Sequence, residues 1–316
     1  MELFTSLFCA SLAFFFIRAL LQLSQNTKLP PGPTGLPIVG CLFKLGERPN
    51  ESLAELAKTH GPLMTLRLGS VTTVVVSSAQ MAKEIFYKND QSFSDRVVPD
   101  VITAQPNYEA TLAWVPGNSR WRNRRRVCNT WMFTTQKLDA LQELRHKKVQ
   151  ELVDHLSKSC LARTSVDVGE TAFATTLNLM SNTIFSVDLV DPKFESAQEF
   201  KDLVWRIMED AGKPNLSDYF PLLRRFDLQG VKRHIKPSYV RLHEIFDEVI
   251  DKRMGSRSAG SIPETDDFLD VLLDQCQEDG SGFTRQTIKP LFVFGVTLKK
   301  AVPLRAIPIL GEKAGL

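Results

Sequence analysis

The chain has 316 residues, 43% of them hydrophobic and 24% charged, which is an ordinary globular composition sufficient for one large or two medium domains. Its 39 basic and 36 acidic side chains give a formal charge of +3, a balance that argues against the concentrated basic face of a nucleic-acid-binding protein. The five cysteines are widely scattered without a C-x-x-C pair, and no H-E-x-x-H sequence occurs. Neither a disulfide framework nor a zinc site is therefore indicated, and reduced thiols are typical of the cytosolic side of a membrane.

The first predicted element is a membrane anchor. The stretch Leu3–Leu23 is predominantly apolar, with Arg18 as its one charge in 21 residues. A helix of this length spans roughly the 30 Å thickness of the hydrocarbon core. Lys28 follows the stretch, and basic residues on this side predict that the remaining chain lies in the cytosol. The alternative is a cleaved signal peptide, which would need a basic leading region and a small-residue cleavage site; neither is present.

A proline-rich segment, Lys28–Gly40, reads "KLPPGPTGLPIVG" and follows the anchor. Repeated proline fixes the backbone and excludes a helix or a central strand, so the segment is expected to be stiff and extended. Such a spacer would hold a folded body at a set angle to the bilayer. A plain linker, or a ligand for a proline-binding domain, explains the composition equally well.

Residues 52–60 are predicted to form a short helix, and "GPLMTLRLGSVTTVVVSS" then predicts a β-hairpin with Gly69 and Ser70 at its turn. Ser77 and Gln80 are spaced as a capping box that would open the next helix. Residues 94–118, which contain three prolines, are expected to be a long irregular loop.

The remainder is predicted to be mostly helical. Five apolar residues, Leu242, Ile245, Phe246, Val249 and Ile250, recur at the spacing of one buried helical stripe. Residues 255–265 have the composition of a flexible linker, and "DDFLDVLLDQCQ" predicts a further helix with acidic residues in its first turn.

The densest charged cluster is "WRNRRRVCNTWMF", in which Trp121 and Arg125 would share one face of a helix. An indole N–H beside a guanidinium is a suitable clamp for a carboxylate or a phosphate, because both donors have fixed geometry. On spacing alone, a solvated basic face above one packed tryptophan is the favoured explanation of the cluster.

These segments together resemble a known family. The anchor, "PPGPTGLPIVG", "HGPLMTLRLGSVTTVVVSS", "SFSDR" and "WRNRRR" followed by "MF" occur in the order seen in plant microsomal cytochrome P-450 monooxygenases. The group most similar to this sequence contains the geraniol 8-hydroxylase-like terpenoid hydroxylases. The resemblance extends from Met1 to about Phe292 through "LNLMSNTIFS", "PNLSDYFPLLRRFDLQGVKR" and "DDFLDVLLDQ".

The resemblance implies a cofactor, substrates and a location. The cofactor would be haem b, with Trp121 and Arg125 bonding its propionates, and no catalytic residue or metal ligand is assigned in this chain. Residues 94–118 would be the first substrate-recognition region, and segments near 200–250 would roof a pocket for a small apolar substrate such as a monoterpenol. The chain would be a single-pass protein of the endoplasmic reticulum membrane with its body in the cytosol. Electrons would come from an NADPH-cytochrome reductase facing outer basic residues.

The implied fold is mainly α with a small β-sheet, an incomplete cytochrome P-450-like α+β fold behind an N-terminal transmembrane helix. We expect the anchor over residues 1–27 and the proline-rich hinge over 28–40. The N-terminal part of the haem-thiolate fold would occupy 41–293. Residues 294–316 would be the C-terminal tail of the same fold, joined after a large deletion.

The deletion is inferred from what the sequence lacks. It contains no "A/G-G-x-D/E-T-T" sequence for proton delivery and no Phe-x-x-Gly-x-Arg-x-Cys-x-Gly loop, which would present a thiolate to iron. None of the five cysteines (Cys9, Cys41, Cys128, Cys160 and Cys276) has such a loop around it. In "IKPLFVFGVTLKKAVPLRAIPI", residues 288–309, the left half resembles the approach to the central helix and the right half resembles the last strands. The join is predicted near Val293 and Phe294, as a truncated isoform or a gene-model artefact, and the chain is predicted to be non-catalytic.

Overall fold

A computed structural model describes residues 29–190, 197–259, 267–293, 305–306 and 308. The chain divides into two compact units, one containing Met1–Asp95 with Asn215–Gln229 and the other containing Arg96–Pro214 with Gly230–Leu316. The described part is mainly helical and includes two small antiparallel sheets, in agreement with the predicted fold class. No helix in that part is long and apolar enough to cross a membrane. The expected anchor, Leu3–Leu23, lies outside the described residues.

The first unit is organised around a β-hairpin. Its elements are α1 (Pro49–His60), β1 (Leu63–Leu68), β2 (Val71–Val76), α2 (Ala79–Lys83) and a short helix, Leu216–Tyr219, numbered α8 in chain order. The two strands pair from Leu63 with Val76 to Leu68 with Val71, which confirms the predicted hairpin and its turn. Alternation along β1 buries Met64 and Leu66 completely, and both side chains belong to a small apolar core with Cys41 and Leu45.

The proline-rich segment runs along the outer edge of β1. Thr65 donates its backbone N–H to the Pro31 carbonyl at 3.0 Å, and Gly40 forms an isolated bridge with Leu68. Glycine is needed here because a Cβ at Gly32 would lie 1.8 Å from the Thr65 carbonyl oxygen. The described part of this segment is therefore attached to the hairpin over several residues.

Two local predictions needed correction. The predicted helix at 52–60 begins three residues earlier, because Pro49 occupies its first turn, where a missing N–H is tolerated. The capping box predicted from Ser77 and Gln80 is wrong. Ser77 donates its N–H to the Pro62 carbonyl at 2.8 Å and still belongs to the end of the hairpin, so the N-cap moves to Ser78, whose Oγ accepts from the Met81 N–H at 3.2 Å.

The second unit contains most of the helices and a minimal sheet. Its elements are α3 (Ser119–Met132), α4 (Thr135–Ala140), α5 (Gln142–Leu161), β3 (Val166–Asp167), α6 (Val168–Phe185), α7 (Ala197–Ala211), α9 (Val231–Ser258), α10 (Phe268–Gln277), α11 (Arg285–Ile288) and β4 (Arg305–Ala306). Short 3₁₀ turns at Asp100–Ala104 and Tyr108–Ala110 interrupt the expected irregular loop 94–118.

The core of this unit forms around α9. The predicted stripe is confirmed, because Leu242, Ile245, Phe246 and Ile250 are at most 2% exposed. Its fifth member, Val249, is partly buried and packs against the same core. Phe246 lies 5.9 Å from Phe185 and 5.5 Å from Phe292 between ring centroids, so α6, α9 and the turn after α11 meet in one aromatic cluster.

The far side of the predicted join is only partly described. Val293 ends the described run after the 3₁₀ turn Lys289–Phe292, and Phe294 lies outside the described residues. Beyond it, β4 pairs antiparallel with β3, with Val166 opposite Ala306. The predicted linker 255–265 lies partly inside α9, which continues to Ser258, while residues 260–266 are outside the described part.

Candidate functional site

The arginine-rich helix α3 is positioned by its first turn. The Asn118 side chain caps the helix by accepting the Trp121 backbone N–H at 2.9 Å. The helix carries five arginines and no acidic residue. It therefore concentrates positive charge in one element of a chain whose overall charge is nearly balanced.

The structure brings Trp121 and Arg125 together, as the four-residue spacing predicts. The Arg125 guanidinium carbon lies 5.1 Å from the centroid of the indole, a cation–π arrangement. Arg125 is exposed, and its N–H groups have no hydrogen-bond partner among the described residues. The role of this pair as cofactor ligands stays a prediction.

The indole N–H of Trp121 is not a free donor, as the expected clamp would need. Trp121 Nε1 donates to the Leu112 carbonyl oxygen at 3.0 Å, so this donor has a partner within the protein. The bond ties α3 to the loop that precedes it and orients the indole beneath Arg125. A carboxylate approaching the pair would meet the guanidinium as its free donor.

Sequence reasoning missed Arg124, the buried arginine of this helix. The residue is 6% exposed, and its Nη1 donates to the Glu109 carbonyl oxygen at 3.2 Å. Burial, and next the charge of Arg120, lower the pKa of Arg124. A signal was available, because Arg124, Val127 and Cys128 have the spacing of a buried stripe and all three are buried.

The surroundings of Cys128 and Cys276 favour the protonated thiol over the thiolate. Cys128 is 6% exposed on α3, and burial raises its pKa to about 11. Burial also raises the pKa of Cys276, on α10. Cys41 is 1% exposed, with its Sγ 3.5 Å from the Pro33 carbonyl oxygen. A haem ligand must instead be a thiolate held by surrounding positive charge or N–H donors.

A small cavity lies where the sequence predicts part of a substrate pocket. The loop 94–118, α7, α9 and the turn Lys289–Phe292 enclose about 110 Å³. Apolar side chains line most of it, including Ile102, Leu112, Trp114, Ile207, Met208 and Leu291. An apolar cavity of roughly 150 Å³ holds benzene, so this space is too small to enclose a monoterpenol. Its role as a substrate site stays a prediction.

The donor set fits one part of a haem group and not another. Guanidinium groups at positions 124 and 125 are chemically suited to the propionates. The thiols of Cys128 and Cys276 are not suited to the iron, because burial raises their pKa and so favours the protonated form. Haem, when bound in relatives of this class, supplies the oxygen-activating redox chemistry.

The mainly helical body with a small antiparallel hairpin agrees with the predicted cytochrome P-450-like fold. Residues 30–293 match the family model described as Cytochrome P450. This match covers well over half of the chain, and the chain belongs to the cytochrome P450 family.

Curated relatives agree with this assignment. The chain is 47% identical to a geraniol 8-hydroxylase of Swertia mussotii over 275 residues, which cover 86% of this chain and 55% of the relative. It is 44% identical to a geraniol 8-hydroxylase of Catharanthus roseus over 300 residues, or 93% of this chain and 60% of the relative. It is also 44% identical to the protein named "Inactive cytochrome P450 76AD1" of Beta vulgaris, over 83% of this chain and 63% of the relative. The chain thus spans little more than half the length of the curated relatives it matches.

Proposed function

We propose that this chain is a membrane-anchored member of the cytochrome P450 family that does not itself catalyse monooxygenation. The observation that carries the proposal is the burial and protonation of Cys128, which lies on α3, the helix that carries Trp121 and Arg125. It is buried at 6% exposure and its pKa is raised to about 11, so it is a protonated core thiol at neutral pH. The sequence offers no Phe-x-x-Gly-x-Arg-x-Cys-x-Gly loop in its place.

Three further parts of the proposal rest on the family. Trp121 and Arg125 would contact the carboxylate side of haem b, which their stacked arrangement supports for Arg125. The anchor would hold the body on the cytosolic face of the endoplasmic reticulum membrane, where a reductase partner is available. Full-length relatives would hydroxylate small apolar molecules, and the name of two relatives points to geraniol.

The test is the absorption spectrum of the reduced, carbon-monoxide-treated chain, expressed at full length in microsomes. We expect no band from thiolate-ligated haem and no oxidation of a monoterpenol when reductase and NADPH are added. A full-length relative expressed in parallel is the positive control. A thiolate-type band accompanied by turnover would overturn the proposal in favour of an active monooxygenase, the alternative that the identity to geraniol 8-hydroxylases favours.

The predicted join is tested separately. Sequencing the transcript across the codons for Val293 and Phe294 is expected to show a continuous reading frame if the chain is a real isoform. Additional coding sequence between the two codons in every transcript would show that the full-length protein, with its thiolate loop, is the one made.

A further inference from the structure

Strand β2 forms an uncovered edge of the hairpin sheet. In the part of the chain that the structure describes, this sheet consists of β1 and β2, so each strand has one outer edge. Along β1 the outer edge is occupied, because Thr65 donates its N–H to the Pro31 carbonyl oxygen at 3.0 Å. The Arg67 carbonyl oxygen accepts the Cys41 N–H at 2.6 Å on the same side. The segment before α1 therefore covers the edge of β1 and leaves that of β2.

The register of the hairpin shows which backbone groups of β2 point outward. Thr65, whose N–H points away from β2, lies opposite Val74. At such a position of an antiparallel pair, both residues direct their N–H and C=O groups away from the other strand. Because this direction alternates along a strand, Thr72 and Val76 point outward as well. The edge therefore presents the backbone groups of these three residues, and Thr72 and Val74 are exposed.

The edge of β2 carries none of the features that keep sheet edges apart. Residues 71–78 read "VTTVVVSS", without a charge, a proline or a glycine, and the register of β2 with β1 is unbroken. Proteins commonly protect an exposed edge with a lysine, a proline or a bulge. Short uncharged segments of high β-propensity are, by contrast, the kind whose identical copies pair with one another. The composition of β2 therefore favours a second β2 strand as its partner.

Antiparallel pairing centred on Val74 satisfies the whole edge. In that register Val74 lies opposite Val74 of the second copy, and Thr72 lies opposite Val76 of the second copy. Every outward N–H then faces an outward C=O, which gives about six hydrogen bonds between the copies. We propose that two copies of this chain associate through their β2 edges into one four-stranded antiparallel sheet. This inference goes beyond the proposed function, because strand pairing requires no haem.

A groove beside the edge has room for side chains of the second copy. It offers about 600 Å³ between α1 and the end of β2, and Leu53, Ala57, Pro62 and Val75 are among its apolar lining. Val75 packs on the same small core as Leu53 and Ala57, so the groove lies on the α1 face of the sheet. In the proposed register, Thr73 of the second copy lies opposite Val75 and points to that face. Strand addition beside such a groove combines backbone hydrogen bonds with side-chain contacts.

The covered edge of β1 limits the assembly to two copies. Once two β2 edges pair, the outermost strands of the combined sheet are the two β1 strands. Their outer edges are already bonded within each chain, at Thr65 and Arg67. The interface joins the same surface of each copy, which is the closed two-fold arrangement commonest among homo-oligomers. A pair of chains is therefore expected, and not an open-ended fibre.

The first test is the oligomeric state of the full chain in density-matched detergent micelles, measured by analytical ultracentrifugation over a dilution series. We expect a reversible equilibrium between single chains and pairs. Val74→Lys places like charges opposite each other at the centre of the pair and should weaken dimerisation about tenfold or more. Val97→Lys is the matched control, because it makes the same change at a valine that is 79% exposed and lies outside the hairpin. We expect it to change dimerisation by about twofold or less.

Cross-linking tests the register independently of the affinity. Thr72→Cys and Val76→Cys chains are mixed and treated with a short thiol-to-thiol cross-linker, and wild type supplies the baseline for the five native cysteines. In the proposed register the Cα atoms of positions 72 and 76 lie about 5.5 Å apart across the pair, whereas the two copies of position 72 are roughly 14 Å apart. We expect cross-linked dimers from the mixture and few from Thr72→Cys alone. This measurement also decides the question if Val74→Lys fails to fold.

Three results would overturn the inference. Wild type that stays monomeric at about 100 μM would exclude even a weak specific pair. Equal dimerisation of folded Val74→Lys and wild type would assign the association to another surface, such as the expected anchor. Equal cross-linking of the mixture and of Thr72→Cys alone, or complexes of more than two chains, would exclude the closed pair centred on Val74.

Discussion

Replacing Arg253 with methionine is expected to loosen the contact between α9, α10 and the end of α6. Arg253 holds Asp267 with two hydrogen bonds of 2.9 and 2.7 Å, donates to Asp270 and donates to the Phe185 carbonyl at 2.9 Å. Its side chain is 14% exposed, and those of Asp267 and Asp270 are each 5% exposed. Removing the guanidinium leaves two buried carboxylates side by side, with Arg257 still paired to Asp270.

The loss of unfolding free energy expected for Arg253→Met follows from this arrangement. Breaking a buried ion pair by removing one partner costs about 3–5 kcal/mol, and the remaining Arg257 contact places this case near the lower end. For a body of this size, about 3 kcal/mol corresponds to a fall in Tm of roughly 6–12 °C. The penalty should shrink in acid. Burial, and next the Asp267 charge, raise the pKa of Asp270, and removing the Arg253 charge takes away a contribution that lowers it. The penalty is therefore complete above the pKa of Asp270 in the folded variant and fades as the pH falls toward the unfolded value.

The assay is thermal unfolding of the full chain in micelles, followed by far-UV circular dichroism at pH 7 and pH 5. Lys252→Met is the matched control, because the substitution removes the same charge from an exposed neighbouring position on the same helix. We expect the Arg253 variant to melt well below the Lys252 variant at pH 7, with a smaller gap at pH 5. Equal melting temperatures at pH 7 would refute the reasoning that the buried network stabilises this junction.

Gly40→Ala should destabilise the first unit more than Gly46→Ala, as urea unfolding of the two variants would show. Both glycines have positive φ, which an alanine adopts at a cost. A Cβ at Gly40 would also lie 2.0 Å from a β1 carbonyl oxygen, whereas the nearest atom to a Cβ at Gly46 is 3.8 Å away. Burial, and next the Lys289 charge, lower the pKa of His243 to about 4, so the folded chain loses about 2 kcal/mol of stability between pH 7 and pH 5 as the unfolded chain binds this proton. His243→Leu should lack that loss, and an unchanged pH dependence of the unfolding free energy would contradict the prediction. Cys128 should resist alkylation by iodoacetamide at pH 7.5 and react in urea, as mass spectrometry of its peptide would show; rapid labelling of the folded chain would argue for a thiolate.

Local patterns predicted the elements whose signal lies within a few residues. The hairpin followed from alternation and the Gly69–Ser70 turn, and the α9 stripe followed from helical spacing. The pairing of Trp121 with Arg125 followed from four-residue spacing on a helix. These features depend on backbone geometry that the sequence repeats at fixed intervals.

Features set by distant contacts could not be predicted in the same way. The burial of Arg124 depends on the loop carrying Glu109, and the partner of the Trp121 indole N–H is a backbone carbonyl with no sequence signature. The shift of the N-cap from Ser77 to Ser78 depends on how far the hairpin continues. In each case the competing partner is a backbone group whose position only the fold determines.

The pairing of β3 with β4 bears on how the chain is made. β3 at Val166–Asp167 is synthesised long before β4 at Arg305–Ala306, and most of the second unit lies between them in the sequence. During translation β3 therefore has no β4 to pair with while α6, α7 and α9 emerge from the ribosome. Contacts between residues so far apart form late and slowly, because the intervening chain must first be ordered. Pairing of β3 with β4 in the newly made chain therefore depends on whether the helices between the two strands position β3 before β4 is synthesised.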